Sequence, residues 1–142
     1  MKYFRPSEFR EWWELMSIDL LEALDDFREI WGAPVMISPH ADALGRHGGR
    51  DDLSQHNVDK WGEVRAADVF PMGLADEGFI RAYDAAKRAG ASGIGFYPGT
   101  TPGPMMHLDV RMDRTPDNPA TWSRIKGRYL GLSHAMPEGW KP

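Results

Sequence analysis

The chain has 142 residues, a formal net charge of −4 and no cysteine, and these properties exclude several classes of protein. The acidic balance argues against a general nucleic-acid binder, because such domains usually carry a basic surface. Without cysteine there are no disulfides, thiolate metal sites or cysteine nucleophile, so any metal must be held by His, Asp or Glu.

No targeting or membrane segment is predicted. No apolar run approaches the roughly 20 residues of a membrane span, and the first residues lack the apolar core of a signal peptide. We therefore expect one domain over residues 1–142, cytoplasmic as synthesised and not inserted into a membrane.

Two helices are predicted in the first part of the chain. Ser7 can cap a short helix that runs to about Leu15. Ser17 opens a longer helix over residues 18–31, where apolar residues repeat at intervals of three and four and form one stripe. Gly32 follows in the position where helices commonly end.

Four short segments are predicted as strands. Residues 34–38 and 65–70 are apolar or alternating, and residues 93–97 and 105–111 flank a turn rich in Pro, Gly and Thr, as in a hairpin. This pattern predicts an α+β fold with a small, mainly antiparallel sheet, helices on one side and the candidate site on the open face.

Residues 39–53 and 57–64 are predicted as loops, and residues 75–89 as a helix. Residues 120–132 fit either a helix or a strand. The first loop is long for a compact domain, and such loops are often functional. It carries His40 and His47, which we interpret as surface histidines because neither lies beside another ligand-type motif.

His56, Asp68 and His107 have the residue types of a catalytic metal site. Alternate side chains of a strand share a face, so His107, Asp109 and Arg111 point the same way. If the strands that carry Asp68 and His107 are neighbours, the three ligands converge and leave a fourth position for water on zinc. The alternative is a hydrogen-bonded polar network without metal.

Four motifs follow one another along the chain: Ser54-Gln55-His56, Ala66-Ala67-Asp68, Gly93-Ile94-Gly95-Phe96-Tyr97-Pro98 and His107-Leu108-Asp109. Together they resemble the zinc D-Ala-D-Ala carboxypeptidase-like family of peptidoglycan peptidases, and its short phage and bacterial branch most closely. The resemblance covers roughly residues 17–125. It implies that His56, Asp68 and His107 bind Zn²⁺ and that a zinc-activated water cleaves a peptide bond involving D-amino acids, as a carboxypeptidase or an endopeptidase.

The chain departs from the family pattern in three places. The gap between His56 and Asp68, twelve positions, is longer than the family's usual gap. The Arg that often follows the Ile-Ser strand in the family is missing, and Arg46 or Arg50 are its candidate replacements.

The third departure concerns the general base. Where the best-known members have a Glu or a His shortly before the last ligand, this chain has Pro104 and Met105, which cannot move a proton. Asp109 is the first candidate for the base and Glu63, in the longer gap, is the second. Asp109 is equally well interpreted as a residue that only orients a ligand.

Two arginines near the expected ligands are candidates for substrate binding. Arg65 and Arg111 can bind the terminal carboxylate of the substrate or the developing oxyanion. A surface ion pair with Asp or Glu is the alternative interpretation. Trp61 and Trp122 are interpreted as packing residues rather than as stacking platforms for substrate.

The leading functional hypothesis is therefore a zinc-dependent peptidoglycan hydrolase, which fits a phage lysis enzyme or a tail-associated enzyme. One alternative is a phage virion or assembly protein that keeps the fold and the metal site with little or no hydrolysis. The other is a zinc-free binding module. The sequence does not predict which bond is cut or the oligomeric state.

Overall fold

A computed structural model describes residues 1–75 and 78–142 and confirms the α+β class. The helices are α1 (Ile18–Trp31), α2 (Val58–Trp61) and α3 (Phe79–Arg88), with 3-10 segments at Pro6–Leu15 and Leu132–Ala135. The strands are β1 (Val35–Ile37), β2 (Ala66–Pro71), β3 (Gly93–Tyr97), β4 (Met105–Asp109), β5 (Ala120–Ile125) and β6 (Arg128–Leu130).

The six strands form one sheet in the order β1-β2-β4-β3-β5-β6. Every pair is antiparallel except β3 and β5, which are parallel. The predicted hairpin is thus present as β3 and β4, and β2 lies on the other side of β4. This order places β4 between the strand that carries Asp68 and the strand that carries the glycine-rich motif.

Helix α1 forms where the sequence predicted it. The Ser17 hydroxyl oxygen accepts a hydrogen bond from the Leu20 amide at 3.3 Å, and Gly32 ends the helix with a φ of 81°. The apolar stripe is buried, with Leu24 and Phe27 fully inaccessible to solvent. Burying each such side chain stabilises the fold by roughly 1.5–3 kcal/mol.

Helices α1, α2 and α3 all contribute side chains to the apolar core on one face of the sheet. Ile94 and Phe96 of β3 point into the apolar core, and the Phe96 ring stacks on Phe79 of α3 with the ring centroids 4.5 Å apart. Since neighbouring residues of a strand point to opposite faces, Gly95 and Tyr97 lie on the other face. That other face carries the candidate site.

The N-terminal segment differs from its prediction. It is a 3-10 helix that begins at Pro6 after Arg5, so Ser7 is not its cap. Glu8 accepts a hydrogen bond from the Arg5 amide at 2.7 Å. A positive φ of 56° at Arg10 interrupts the segment, and the Arg10 guanidinium donates to the carbonyl oxygens of Ser38 and, at 3.2 Å, of His40.

Other boundaries were predicted less well. The loop over 57–64 contains α2, which Asn57 caps and Gly62 ends, and the ambiguous stretch 120–132 forms β5 and β6. The third helix was expected from residue 75, and residues 76 and 77 of that prediction lie outside the described residues. In the part of the chain that the structure describes, every helix is too short or too polar to cross a bilayer.

Candidate metal centre

His56, Asp68 and His107 come together on the face of the sheet that the helices leave open. Asp68 of β2 lies directly opposite His107 of β4 in the strand register, and His56 reaches them from the loop before α2. One ligand atom from each residue lies within 4.8 Å of the other two. The convergence expected from the sequence is therefore present.

The two distances from Asp68 to the histidines match a tetrahedral zinc site. His56 Nε2 lies 3.4 Å from Asp68 Oδ1, and His107 Nδ1 lies 3.2 Å from the same oxygen. Ligand atoms that each lie about 2.0–2.1 Å from one tetrahedral zinc are about 3.3 Å apart. The three side chains could therefore hold a metal ion with only small movements.

Hydrogen bonds on the far side of each ring orient the two histidines. His56 Nδ1 lies 2.6 Å from the carbonyl oxygen of Leu44, which can only accept, so Nδ1 carries the proton and Nε2 is left for a metal. His107 Nε2 lies 2.7 Å from Asp109 Oδ2, which leaves Nδ1 toward Asp68. A carboxylate or a carbonyl behind the imidazole is the usual support of a metal-binding histidine.

Asp109 is fully buried and its carboxylate is already engaged. Its Oδ2 contacts His107 and accepts from the Arg111 guanidinium at 2.6 Å, and Oδ1 accepts from Arg111 Nε at 2.9 Å. A carboxylate in this position orients His107 and cannot take a proton from water in the cavity. Of the two interpretations of Asp109, the structure therefore supports the orienting role.

Gly93 makes room for that carboxylate. A Cβ atom on Gly93 would lie 2.2 Å from both oxygens of Asp109, which is closer than any real contact. Gly95, the next residue on the same face, makes room in the same way for the Trp122 ring, which a Cβ would approach to 2.5 Å. Glycine is thus required at both positions of the Gly-x-Gly motif, because any side chain would collide with Asp109 or Trp122.

The carboxylates and His107 shift one another's ionisation. Burial alone would raise the pKa of Asp68, but hydrogen bonds from His107 and His56 outweigh it and hold that pKa below its usual value. Burial likewise opposes the low pKa of Asp109, which His107 and Arg111 maintain. Burial would lower the pKa of His107, yet its hydrogen bonds to Asp109 and Asp68 raise it to about 9.

The ligand group opens into a cavity of about 650 Å³. Its aromatic lining residues are Phe70, Tyr97, Trp122 and Tyr129, and its polar and charged ones beyond the ligand group include Ser38, His40, Asp42, Arg46, Ser54, Gln55, Arg111 and Arg124. A cavity of this size accommodates a short peptide segment. The polar lining comes largely from the loop before α2 and from β5.

Three of the four predicted catalytic residues do not line this cavity: Asp109, which is buried behind His107, and Glu63 and Arg65. Glu63 and Arg65 pair with each other, with Arg65 Nε 3.0 Å from Glu63 Oε1, and neither lines it. Arg65 lies against Trp61 instead, with its guanidinium carbon 5.1 Å from the ring centroid. Arg65 is three residues from Asp68, so the alternation of the strand turns it away from the ligand face.

The other arginines divide differently. Arg111 lines the cavity, as expected, but is bound to Asp109. Arg46 also lines it and makes two hydrogen bonds to Asp52 Oδ2, at 2.9 and 2.7 Å, whereas Arg50 is exposed and does not line the cavity. Of the two candidate replacements for the family's Arg, only Arg46 reaches the site.

Sequence reasoning missed an aromatic pair beside the ligands. The Trp122 ring centroid lies 4.8 Å from that of His107, and Trp122 Nε1 donates to the Tyr97 hydroxyl at 3.0 Å. His40, interpreted as a surface histidine, also lines the cavity. The signal that could have found Trp122 is the pair of glycines on one strand face, which leaves space for a large side chain.

Compared with models of known protein families, with curated proteins and with solved structures, the chain matches none.

Proposed function

We propose that this protein is a zinc-dependent hydrolase that cleaves a peptide bond involving D-amino acids in peptidoglycan stem or cross-link peptides. The observation that carries the proposal is the group of three ligand atoms within 4.8 Å at the wall of a 650 Å³ cavity. The family motifs supply the substrate class, because they surround these same three residues. Both carboxypeptidase and endopeptidase activity are compatible with this proposal.

Zinc is the metal that suits this donor set. Two imidazole nitrogens and one carboxylate oxygen form a common ligand set of catalytic zinc. Within residues 1–75 and 78–142, no fourth His, Cys, Asp or Glu joins the group, so a zinc ion held by these three residues would keep a position for water. A bound zinc ion supplies the Lewis acid that polarises a carbonyl and lowers the pKa of a water molecule.

The protein's own residues must move the proton. Outside the ligand group, His40 and Asp42 are the imidazole and the carboxylate among the lining residues. His40 Nδ1 accepts a hydrogen bond from the Asp42 amide at 3.2 Å, so Nε2 is the nitrogen left for substrate or water. Arg10 fixes the backbone of this loop from below. We assign the acid-base role to His40, with Asp42 as the second candidate.

Peptide binding falls to the polar wall of the cavity. Gln55 is 7% exposed, and its Oε1 is a buried acceptor without a hydrogen-bond partner among the described residues. An unpaired buried acceptor costs about 1–3 kcal/mol, which a substrate amide would recover. Arg46 and Arg111 also line the cavity but are paired with Asp52 and Asp109, which leaves Arg124 as the arginine suited to bind a peptide carboxylate.

One observation favours a second candidate, a phage virion or assembly protein that keeps the metal site with little or no hydrolysis. Met105 lines the cavity at a position where the family carries a proton-transferring residue, and its thioether cannot replace one. Turnover of peptidoglycan separates this candidate from the enzyme.

The first test is elemental analysis of the purified protein, with His107→Ala beside it and His134→Ala as a control. One zinc per chain in the parent and the control, with a large loss in His107→Ala, is the expected result. Digestion of purified peptidoglycan, followed by mass spectrometry of the released peptides, then identifies the bond. A parent protein that takes up no metal when zinc is supplied would overturn the proposal, and zinc without turnover would favour the virion protein.

A further inference from the structure

We propose that the Tyr97 hydroxyl donates a hydrogen bond to the carbonyl oxygen of the bond that is cut, and to the negative charge that develops on that oxygen. This role rests on the proposed hydrolase function and assigns a catalytic donor to it. The donor would replace the arginines that sequence reasoning placed there.

Tyr97 lies on the same sheet face as the ligand group. In the register of β3 and β4, Gly95 is opposite His107, and Tyr97 follows two residues later on the same side. Trp122 connects the two positions, because its ring packs on His107 while its Nε1 lies 3.0 Å from the Tyr97 hydroxyl. Tyr97 and Trp122 both line the cavity.

The hydrogen bond from Trp122 has a fixed direction. An indole N–H can only donate, so the Tyr97 oxygen must be the acceptor and its own proton is left to donate elsewhere. Across residues 1–75 and 78–142, no side chain or backbone oxygen accepts that proton. Accepting one hydrogen bond polarises a hydroxyl and makes it a stronger donor.

The phenol keeps its proton at neutral pH. Burial raises the pKa of Tyr97 to about 12. The hydrogen bond from Trp122 lowers this pKa, and the negative charge of Asp68 raises it. A neutral hydroxyl there is a preorganised donor, which is the kind of group that stabilises an oxyanion.

The arginines that line the cavity already contact other side chains. The Arg111 guanidinium contacts Asp109 at 2.6 Å and the Arg46 guanidinium contacts Asp52 at 2.7 Å. Arg124 is exposed and lies over the Tyr129 ring, with 4.9 Å between its guanidinium carbon and the ring centroid. Among the tyrosines and arginines that line the cavity, Tyr97 is therefore the half-buried one whose donor proton is uncommitted.

The test compares Tyr97→Phe with the parent, both loaded with zinc. Three quantities are measured: zinc content, kcat and KM on one peptidoglycan peptide, and affinity for a phosphinic acid analogue of that peptide. Losing one oxyanion donor lowers kcat by about 10²–10³-fold. We expect this loss in kcat, a matching loss in phosphinate affinity, little change in KM and unchanged zinc content.

Tyr3→Phe is the matched control, since Tyr3 is a half-buried tyrosine at the start of the chain and does not line the cavity. Equal kcat and equal phosphinate affinity in Tyr97→Phe and the parent would overturn the role of Tyr97. Loss of zinc in Tyr97→Phe would also overturn it, because the tyrosine would then be part of the scaffold.

The two proposals fail in different ways. If the parent binds zinc but cleaves no peptide, the hydrolase proposal fails. The role of Tyr97 as a hydrogen-bond donor is then tested by the affinity of the parent and of Tyr97→Phe for the phosphinic acid analogue. Weaker phosphinate binding by Tyr97→Phe than by the parent would then support the donor. No binding by the parent, or equal binding by both proteins, would reject it.

Discussion

Asp68 and His107 face each other across β2 and β4, and one oxygen of Asp68 lies 3.2 Å from His107 Nδ1. The other nitrogen of the same imidazole contacts Asp109 at 2.7 Å. His107 is thus held between two carboxylates, one that could share a metal with it and one that orients it. The ionisation of His107 and its orientation toward Asp68 both depend on these two contacts.

Asp109→Asn tests the orienting role. The amide preserves the shape of the side chain but weakens the hydrogen bond to His107 and the ion pair to Arg111. Loss of such a supporting carboxylate typically lowers metal affinity by about 10–100-fold. Zinc affinity is measured by competition with a chelator, with the exposed Asp117→Asn as the control. Unchanged affinity in Asp109→Asn would contradict the orienting role.

Gly93→Ala tests the space below Asp109. The new Cβ would meet both carboxylate oxygens at 2.2 Å, so either the strand or Asp109 must move. Such overpacking costs about 1–3 kcal/mol of the free energy of unfolding. Gly99→Ala is the matched control, because nothing lies within 4 Å of its Cβ. Urea unfolding of both variants measures this loss. Equal unfolding midpoints in Gly93→Ala and Gly99→Ala would contradict the prediction, because the strand and Asp109 would then accommodate the added methyl group without loss of stability.

The metal-free protein should lose stability as the pH rises from neutral to alkaline. The folded pKa of His107 is raised from 6.5 to about 9 by its two carboxylate partners. The charged imidazole therefore stabilises the fold fully below about pH 6.5, and this contribution is lost as the pH rises through about 9. Urea unfolding of chelator-treated protein between pH 6 and 9.5 measures it.

His107→Gln is the control for that series, since it removes the titrating group and should flatten the dependence over the same window. The affinity for zinc should instead increase as the pH rises over this range, because a proton on His107 competes with the metal. A metal-free protein that becomes more stable between pH 6 and 9 would contradict the assignment.

His40→Ala tests the proton-transfer role. A positioned acid-base group contributes about 10²–10⁴-fold to the rate, so kcat should fall by at least about 10²-fold while the zinc content stays unchanged. Asp42→Ala, measured alongside, shows whether the neighbouring carboxylate carries the role instead. The control is His134→Ala, in the exposed 3-10 segment near the C-terminus. Full activity in both His40→Ala and Asp42→Ala would place proton transfer elsewhere.

Local signals in the sequence were sufficient for α1 and for the strands that carry the ligands. Ser17 and Gly32 mark the ends of α1 through their own backbone and side-chain hydrogen bonds, which need no distant partner. The convergence of Asp68 and His107 was predicted on the condition that their strands are neighbours. The register of β2 and β4 satisfies that condition.

What the sequence left open or missed depends mostly on packing between distant parts of the chain. Whether Asp109 acts as a base or orients a ligand depends on its complete burial, which the spacing of residues does not specify. Trp122 lies in a stretch without clear periodicity, and it becomes a strand residue only because β5 pairs with β3. Arg65 could have been excluded by strand alternation alone, because an odd spacing from Asp68 places it on the opposite face.

The glycines of β3 have a wider consequence. Because Gly93 and Gly95 lack side chains, Asp109 and Trp122 lie directly over β3 and pack against His107, while regular strands supply Asp68 and His107. The outer wall comes instead from the loop before α2 and from the β5 and β6 hairpin. Under the proposed function, such a division would let the outer wall, and with it the choice of peptide, diversify while the ligand group below is preserved.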